Sequence, residues 1–365
     1  MISKKLLLSA SLLTTSVFST GSLFALDQGT SKTAFITTSC PAHDLQCLEK
    51  AKDYNISSTN YGMLFLNGNN KDDNKVVCKF ENLDDNLAEE MIGGELNPAM
   101  NPISRDIYVD GEHETTANIL KKYQNTGNSV GLVFGGDTGS TRVVDPFDPG
   151  ICQNPGDFGY LVLDTVKYLT DRGVKVDRVA FDIESSAFRE GRYTVEDYEK
   201  IKDAISRLKK QDKNIVISII LPQYAEGGYW AKGFNAELVD FIQSNESMID
   251  NITFMLGQGM TCFNKDSNCI VNQMNINALR FPSFPVNKVT ALYNHKRTIQ
   301  EKFLDSNGNV IPEGSIRLIT EANKLYSNHF AGVQFWGMTN ASTAAIDSNF
   351  LELYRVVNNE TNYAN

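Results

Sequence analysis

Short apolar runs recur along the chain, separated by stretches with helical periodicity. Eight of these runs are rich in β-branched residues and mostly apolar on both faces. They are Thr33–Thr38, Gly62–Leu66, Val130–Phe134, Arg178–Ile183, Ile215–Leu221, Ile252–Leu256, Val289–Tyr293 and Gly332–Trp336. Continuous apolar runs are typical of parallel strands whose two faces are both buried. The pattern therefore predicts eight strands of one parallel sheet.

Helical patterns lie between these runs, and the clearest spans Thr194–Gln211. Its apolar positions, which share one face, are Tyr198, Ile201, Ile205 and Leu208. Similar patterns cover Phe158–Thr170, Ala236–Gln243 and Ser315–Ser327. Eight strands alternating with helices over about 340 residues predict an α/β fold, a (β/α)8 TIM barrel. A doubly wound open sheet is the alternative, because strand counting separates the two poorly.

The N-terminus has the pattern of a targeting segment. Lys4 and Lys5 precede the apolar, uncharged run Leu6–Ala25, which predicts a signal peptide over residues 1–25. An uncleaved anchor helix is the alternative. We expect residues 26–365 to form a single domain in which the polar segment Asn67–Gly127 elaborates the β2–α2 connection. Export predicts a secreted or periplasmic protein.

The composition and net charge restrict the kinds of partner that the chain is expected to bind. The chain is 41% hydrophobic and 21% charged, which is ordinary for a globular domain, and its net charge is -10. A negative surface repels nucleic acids and anionic membranes, so neither is expected as a partner. No later stretch approaches the twenty apolar residues that a membrane helix needs. We expect a monomer.

If the chain is exported, its cysteines are expected to form disulfides. There are six, Cys40, Cys47, Cys78, Cys152, Cys262 and Cys269, and an even number in an exported chain predicts disulfides. Six cysteines allow about fifteen pairings, but proximity favours Cys40–Cys47 and Cys262–Cys269, which leaves Cys78–Cys152. The chain has four histidines and no Cys-x-x-Cys spacing, so we predict no metal and no cofactor.

Candidate chemistry lies on the fourth predicted strand, which ends with Ala180, Asp182 and Glu184. Residues two apart on a strand share a face, so these side chains are expected to point toward the barrel axis. Asp182 and Glu184 would lie about 6.6 Å apart along the strand. Two acids at a buried barrel mouth are costly unless they function or are paired. The spacing alone leaves catalysis, a structural acid pair and a metal site open.

The run Asp177-x-x-Ala180-x-Asp182-x-Glu184 resembles the strand-four motif Asp-x-x-Asp-x-Asp-x-Glu of family 18 glycoside hydrolases, which include chitinases and endo-β-N-acetylglucosaminidases. Three of its four positions match. In the same order along the chain, other segments resemble strands three, five and eight of that family. They are Val133–Gly136, Ser218–Gln223 and Gly332–Trp336, so the resemblance covers about residues 130–340.

The resemblance implies substrate-assisted hydrolysis of β-linked N-acetylglucosamine. Glu184 would be the general acid and then the base, with a pKa raised by burial. Asp182 would orient the 2-acetamido group, and Trp336 would form the apolar floor under the reacting sugar. The matching segments also place Gly136 and Gln223 among the substrate-binding residues.

Three aromatic residues follow the fifth predicted strand, and their rings suit a carbohydrate partner. They are Tyr224, Tyr229 and Trp230. Aromatic faces stack on the C–H faces of sugar rings, so this cluster either lines a sugar groove or forms a packed loop.

Two departures from the family motif leave the activity open. Ala180 stands where the family has an aspartate, and without that like charge the pKa of Asp182 is expected to fall. The family's strand-six tyrosine is also missing from Phe254–Gly259, where the Gln258 amide is a candidate donor to the acetamide carbonyl. The chain is therefore either an active chitinase-like glycosidase or a lectin with an impaired site.

Overall fold

The described part of the chain is built around a closed barrel of eight parallel strands. The computed structural model describes residues 31–36, 58–63, 107–109, 112–114, 116–125, 129–136, 147–256, 269–294 and 330–336. In chain order, the strands are β1 (Ser31–Ile36), β2 (Ser58–Met63), β3 (Ile107–Val109), β4 (Glu112–Glu114), β5 (Ser129–Gly135), β6 (Val176–Asp182), β7 (Val216–Pro222), β8 (Asn251–Leu256), β9 (Val289–Asn294) and β10 (Gly332–Trp336).

Strand order follows the chain around the barrel. β1, β2 and β5 to β10 each pair in parallel with the next strand, and β10 closes the ring by pairing with β1. The predicted (β/α)8 barrel is therefore confirmed, and the open-sheet alternative is wrong. β3 and β4 form a separate antiparallel pair within the predicted insertion at Asn67–Gly127.

The described helices are α1 (Thr116–Asn125), α2 (Pro155–Asp171), α3 (Ser186–Arg189), α4 (Val195–Gln211), α5 (Ala236–Ser244) and α6 (Cys269–Ala278), with short 3-10 helices at Ala231–Gly233 and Val286–Lys288. The predicted helices for α2, α4 and α5 are confirmed. α4 begins directly after Thr194, whose backbone N–H donates to the Asp197 carboxylate at 3.0 Å, as in a capping box at the start of a helix. The predicted helix Ser315–Ser327 lies outside the described residues.

The barrel interior has an apolar layer directly below its C-terminal mouth. Its members, all buried, are Val133, Ala180, Ile220, Met255 and Leu292. Nearer the N-terminal end, the hydroxyls of Thr253 and Thr290 lie 2.8 Å apart, and each donates to Asn251 Oδ1. Among the described residues, the barrel interior is thus occupied by side chains, as a (β/α)8 barrel requires.

The predictions of disulfides and of a signal peptide concern residues that lie mostly outside the described part of the chain. Cys152 is disulfide-bonded, but the pairings Cys78–Cys152, Cys40–Cys47 and Cys262–Cys269 all involve side chains outside the described set. The signal segment 1–25 lies outside it too. Among the described residues, no helix combines the length and the apolar character that crossing a bilayer requires.

Candidate active site

Asp182 and Glu184 lie at the C-terminal end of β6, at the mouth of the barrel. Ala180 belongs to the apolar inner layer, so the alternation of side chains along a strand puts Asp182 on the same inner face. The chain continues in register past the end of β6, because the Ile183 N–H donates to the Ile220 carbonyl oxygen at 3.0 Å. Asp182 is 1% exposed and Glu184 is 3% exposed. Two acids buried this completely need a role that offsets their desolvation.

Two consecutive glycines bring β5 against this acid pair. Gly135 and Gly136 have φ values of 97° and 120°, a region that favours glycine. A Cβ placed on Gly136 would lie 3.6 Å from Asp182 Oδ2 and 4.0 Å from Glu184 Oε1. The structure thus brings three of the predicted site residues together around one point.

The layer below the acids carries a small residue and a hydroxyl. Ala180 is fully buried and pairs in register with Ser218 of β7. Ser218 is 2% exposed, and its hydroxyl has no hydrogen-bond partner among the residues that the structure describes. The position where the family motif has a third acid is therefore occupied by a methyl group in an apolar cluster.

Gln223 follows the last residue of β7 and is buried at the mouth. Its exposure is 8%, and within the described part of the chain its Oε1 atom has no hydrogen-bond partner. A buried amide oxygen of this kind is an acceptor for an N–H or O–H group. Its substrate-binding role stays a prediction.

The aromatic residues after β7 separate into packed and exposed rings. Trp230 is buried, with its ring centroid 6.5 Å from that of Phe188. Tyr224 packs edge-on against Phe234, and the Arg280 guanidinium lies 4.5 Å from its ring centroid. Tyr229 is 67% exposed. The packed-loop alternative therefore describes Trp230, whereas Tyr224 is half-buried and Tyr229 is the most exposed of the three rings.

Two predicted site residues are less fully described. Trp336 is the last residue of β10 and pairs in register with Asn294 of β9 and Phe35 of β1, which locates its backbone at the mouth. Gln258 lies outside the described residues. Their substrate-binding roles stay predictions.

Sequence reasoning missed a polar cluster that includes Ser185, the residue after Glu184 in the chain. Asp148 Oδ1 accepts hydrogen bonds from Ser185 Oγ and from the Tyr193 hydroxyl, both at 2.6 Å. All three side chains are buried. Asp148 lies 37 positions from Ser185 along the chain, and neither residue follows a strand or helix period, so no periodic signal joins them.

Charge is distributed unevenly along the inner face of β6. Arg178 lies four positions before Asp182, toward the N-terminal end of the barrel. Burial lowers the pKa of Arg178 to about 10, against the opposing effects of Asp250 and Asp177. The guanidinium therefore stays protonated at neutral pH. Among the described residues, no three His, Cys, Asp or Glu side chains cluster as a metal site would require.

Solved structures of other proteins are similar to this chain in fold. No protein-family model and no curated protein matches the chain. A family 18 chitinase from Pseudoalteromonas aurantia is similar in structure, with a TM-score of 0.55 and 16% identity over 91% of this chain and 100% of that one. Active domain 2 of a thermostable chitinase from Pyrococcus furiosus, solved as catalytic-site mutants with chito-oligosaccharides, gives a TM-score of 0.52 and 11% identity over 92% and 96% of the two chains.

A different glycoside hydrolase family gives a comparable match. A broad-specificity family 5 endoglucanase from an uncultured bacterium has a TM-score of 0.51 and 11% identity, over 92% of this chain and 95% of that one. The chain therefore has the TIM-barrel fold of glycoside hydrolases. At these identities the likeness extends to the fold alone.

Proposed function

We propose that this chain is a glycosidase that cleaves β-1,4-linked N-acetylglucosamine by substrate-assisted hydrolysis with retention. The observation that carries the proposal is the pair of buried carboxyl groups beyond Ala180, both within 4.0 Å of the point where a Gly136 Cβ would lie. A (β/α)8 barrel holds its reacting groups at this end of its strands. The resemblance of Asp177–Glu184 to the family 18 motif supports the assignment of the two acids.

Glu184 is the proposed acid and base. In the first step it gives its proton to the glycosidic oxygen, and the C1–O bond breaks with its electron pair going to that oxygen. The 2-acetamido carbonyl oxygen of the same sugar bonds to C1, which leaves an oxazolinium ion. In the second step Glu184 takes a proton from water, whose oxygen attacks C1 and breaks the bond to the acetamide oxygen. Two inversions at C1 retain the configuration.

The remaining site residues have supporting roles in this proposal. The Asp182 carboxylate accepts a hydrogen bond from the acetamide N–H and offsets the positive charge of the oxazolinium ion. Gln223 Oε1 offers a buried acceptor to a sugar hydroxyl or N–H. Trp336 and Gln258 keep their predicted roles as sugar floor and acetamide donor, and Tyr229 offers an exposed ring for an outer sugar.

The test is release of a fluorophore from N-acetylglucosamine oligomers. We expect Glu184→Gln to lower kcat by about 10²- to 10⁴-fold, the contribution of a general acid. Glu199→Gln is the matched control, because this acid makes the same substitution possible on α4, where its exposed side chain pairs with Lys202. It is expected to keep kcat within about twofold. Equal turnover by wild type and Glu184→Gln would rule out the proposed role.

A catalytically impaired lectin is the second candidate, and Ala180 is the observation that favours it. Its methyl group is fully buried in the apolar layer below Asp182, where the family motif has an acid that interacts with the next one. A lectin predicts that wild type and Glu184→Gln bind the oligomers equally while neither releases the fluorophore. Both candidates fit a monomeric, secreted or periplasmic protein with a glycan as its partner.

A further inference from the structure

Glu184 lies between two residues that are each anchored by a hydrogen bond. On its N-terminal side, the Ile183 N–H donates to the Ile220 carbonyl oxygen of β7 at 3.0 Å. On its C-terminal side, the hydroxyl of Ser185 donates to Asp148 Oδ1 at 2.6 Å. The first anchor is an ordinary sheet contact. The second depends on a single side-chain pair, so it is the one that substitution can remove.

The Ser185 hydroxyl has a second task. It caps α3 by accepting from the Phe188 N–H at 3.3 Å. Because its hydrogen is directed to Asp148, its lone pairs remain for this N–H. The start of α3 is therefore held by this hydroxyl, which bonds in both directions, and by the Ser185 carbonyl oxygen, which accepts from the Arg189 N–H at 3.0 Å. Glu184 is the residue immediately before Ser185.

The acceptor is itself held in place. The Lys200 ammonium group of α4 donates to the Asp148 carbonyl oxygen at 3.0 Å, to the Ile151 carbonyl oxygen at 2.7 Å and to Asp197 Oδ1 at 2.9 Å. Lys200 is 3% exposed. The backbone around Asp148 is therefore anchored by contacts that do not involve its carboxylate.

We propose that Asp148 is a positioning residue for Glu184, acting through the hydroxyl of Ser185. This inference rests on the proposed function. Hydrogen bonds to a carboxylate are short and strong, and here one oxygen receives both Ser185 and Tyr193. Proton transfer requires Glu184 to lie within hydrogen-bond reach of the glycosidic oxygen, whereas sugar binding draws on the whole mouth. Loss of the anchor therefore acts on kcat and spares KM.

Kinetics of matched variants test the proposal. Ser185→Ala is expected to lower kcat by about 10- to 100-fold, the effect of a small misplacement, with KM within about twofold. Ser185→Thr keeps the hydroxyl and restores kcat. Asp148→Ala removes the acceptor and is expected to lose kcat as Ser185→Ala does, whereas Tyr193→Phe, which leaves the Ser185–Asp148 bond intact, stays within about threefold of wild type. Thermal unfolding of each variant separates loss of fold from loss of position.

Three kinetic outcomes would overturn the proposal. A kcat within twofold of wild type for folded Ser185→Ala would show that the anchor does not act on catalysis. A kcat within twofold of wild type for folded Asp148→Ala would show that Ser185 does not act through Asp148. A loss in Tyr193→Phe as large as in Ser185→Ala would make the whole cluster a structural element.

Crystal structures make the test independent of turnover. In wild type we expect one conformer of the Glu184 carboxylate, and in Ser185→Ala a displaced carboxylate or several conformers. An unchanged Glu184 overturns the inference even if the enzyme is active. A wild type without hydrolytic activity rejects the proposed function, and the Glu184 position still decides the inference.

Discussion

Substitution of Gly136 by alanine tests whether the space between β5 and the two acids is the reaction centre. The added Cβ would lie 3.6 Å from Asp182 Oδ2 and 4.0 Å from Glu184 Oε1. These are ordinary contacts, so the side chain itself meets no clash. The cost to stability comes from the backbone, because φ is 120° and alanine adopts that region only with strain of about 1–3 kcal/mol.

The functional cost has a different origin. The new methyl group fills the point that both carboxyl groups border, so a sugar ring cannot approach them as closely. We expect kcat/KM for N-acetylglucosamine oligomers to fall by about 10²-fold or more, the effect of a displacement near 1 Å at the reacting atoms. Stability alone would not produce this loss, because a variant weakened by about 1–3 kcal/mol remains largely folded.

The matched control is Gly227→Ala. Gly227 also has a positive φ, 67°, but a Cβ there would have no atom of the described residues within 4 Å. Urea denaturation should therefore show a destabilisation of about 1–2 kcal/mol, with kcat/KM within about twofold of wild type. If Gly136→Ala matches Gly227→Ala in both stability and kcat/KM, the reasoning that places the reaction between the glycine and the acids is refuted.

Two further predictions concern buried polar groups and are read by urea denaturation. Ser218→Ala removes a buried hydroxyl that has no partner among the described residues, so it should leave stability unchanged or raise it by up to about 1 kcal/mol. Thr253→Val breaks a bonded hydroxyl cluster and should cost about 1–3 kcal/mol. Equal losses in the two variants would contradict this. Lys200→Met leaves Asp197 buried without its cation and should cost about 3–5 kcal/mol. Lys202→Met, which breaks an exposed ion pair on the same helix, should cost less than about 0.5 kcal/mol, and a similar loss in both variants would contradict the argument.

The fold was predictable because most barrel strands are apolar on both faces. The run Gly332–Trp336 coincides with β10, and Val289–Tyr293 ends one residue before β9 does. β2 is the exception, because the predicted run Gly62–Leu66 begins four residues after Ser58, where the strand starts. The first half of this strand is Ser-Thr-Asn, and because these residues are polar, the pattern of apolar runs does not indicate a strand there.

The candidate site was predictable only where it follows a strand. Alternation along β6 indicated that Asp182 and Glu184 share a face, and both are buried at the barrel mouth. The Asp148–Ser185 bond joins two loops, and its partners are set by tertiary packing across 37 positions. The burial of Trp230 could not be predicted from the sequence either, because a Trp that follows a strand is compatible with both a sugar groove and a packed loop.

The anchoring of the loop by Lys200 has a consequence for engineering the chain. Two of its three acceptors are the backbone carbonyl oxygens of Asp148 and Ile151, and every residue type supplies the same carbonyl group. Pro149 and Ile151 are both half-buried, so a library at these two positions can vary the surface of the loop while the path of the backbone is kept. Gly150 has a φ of 80° and is best left unchanged, because other residues adopt that region only with strain. Such a library would leave the acids on β6 undisturbed.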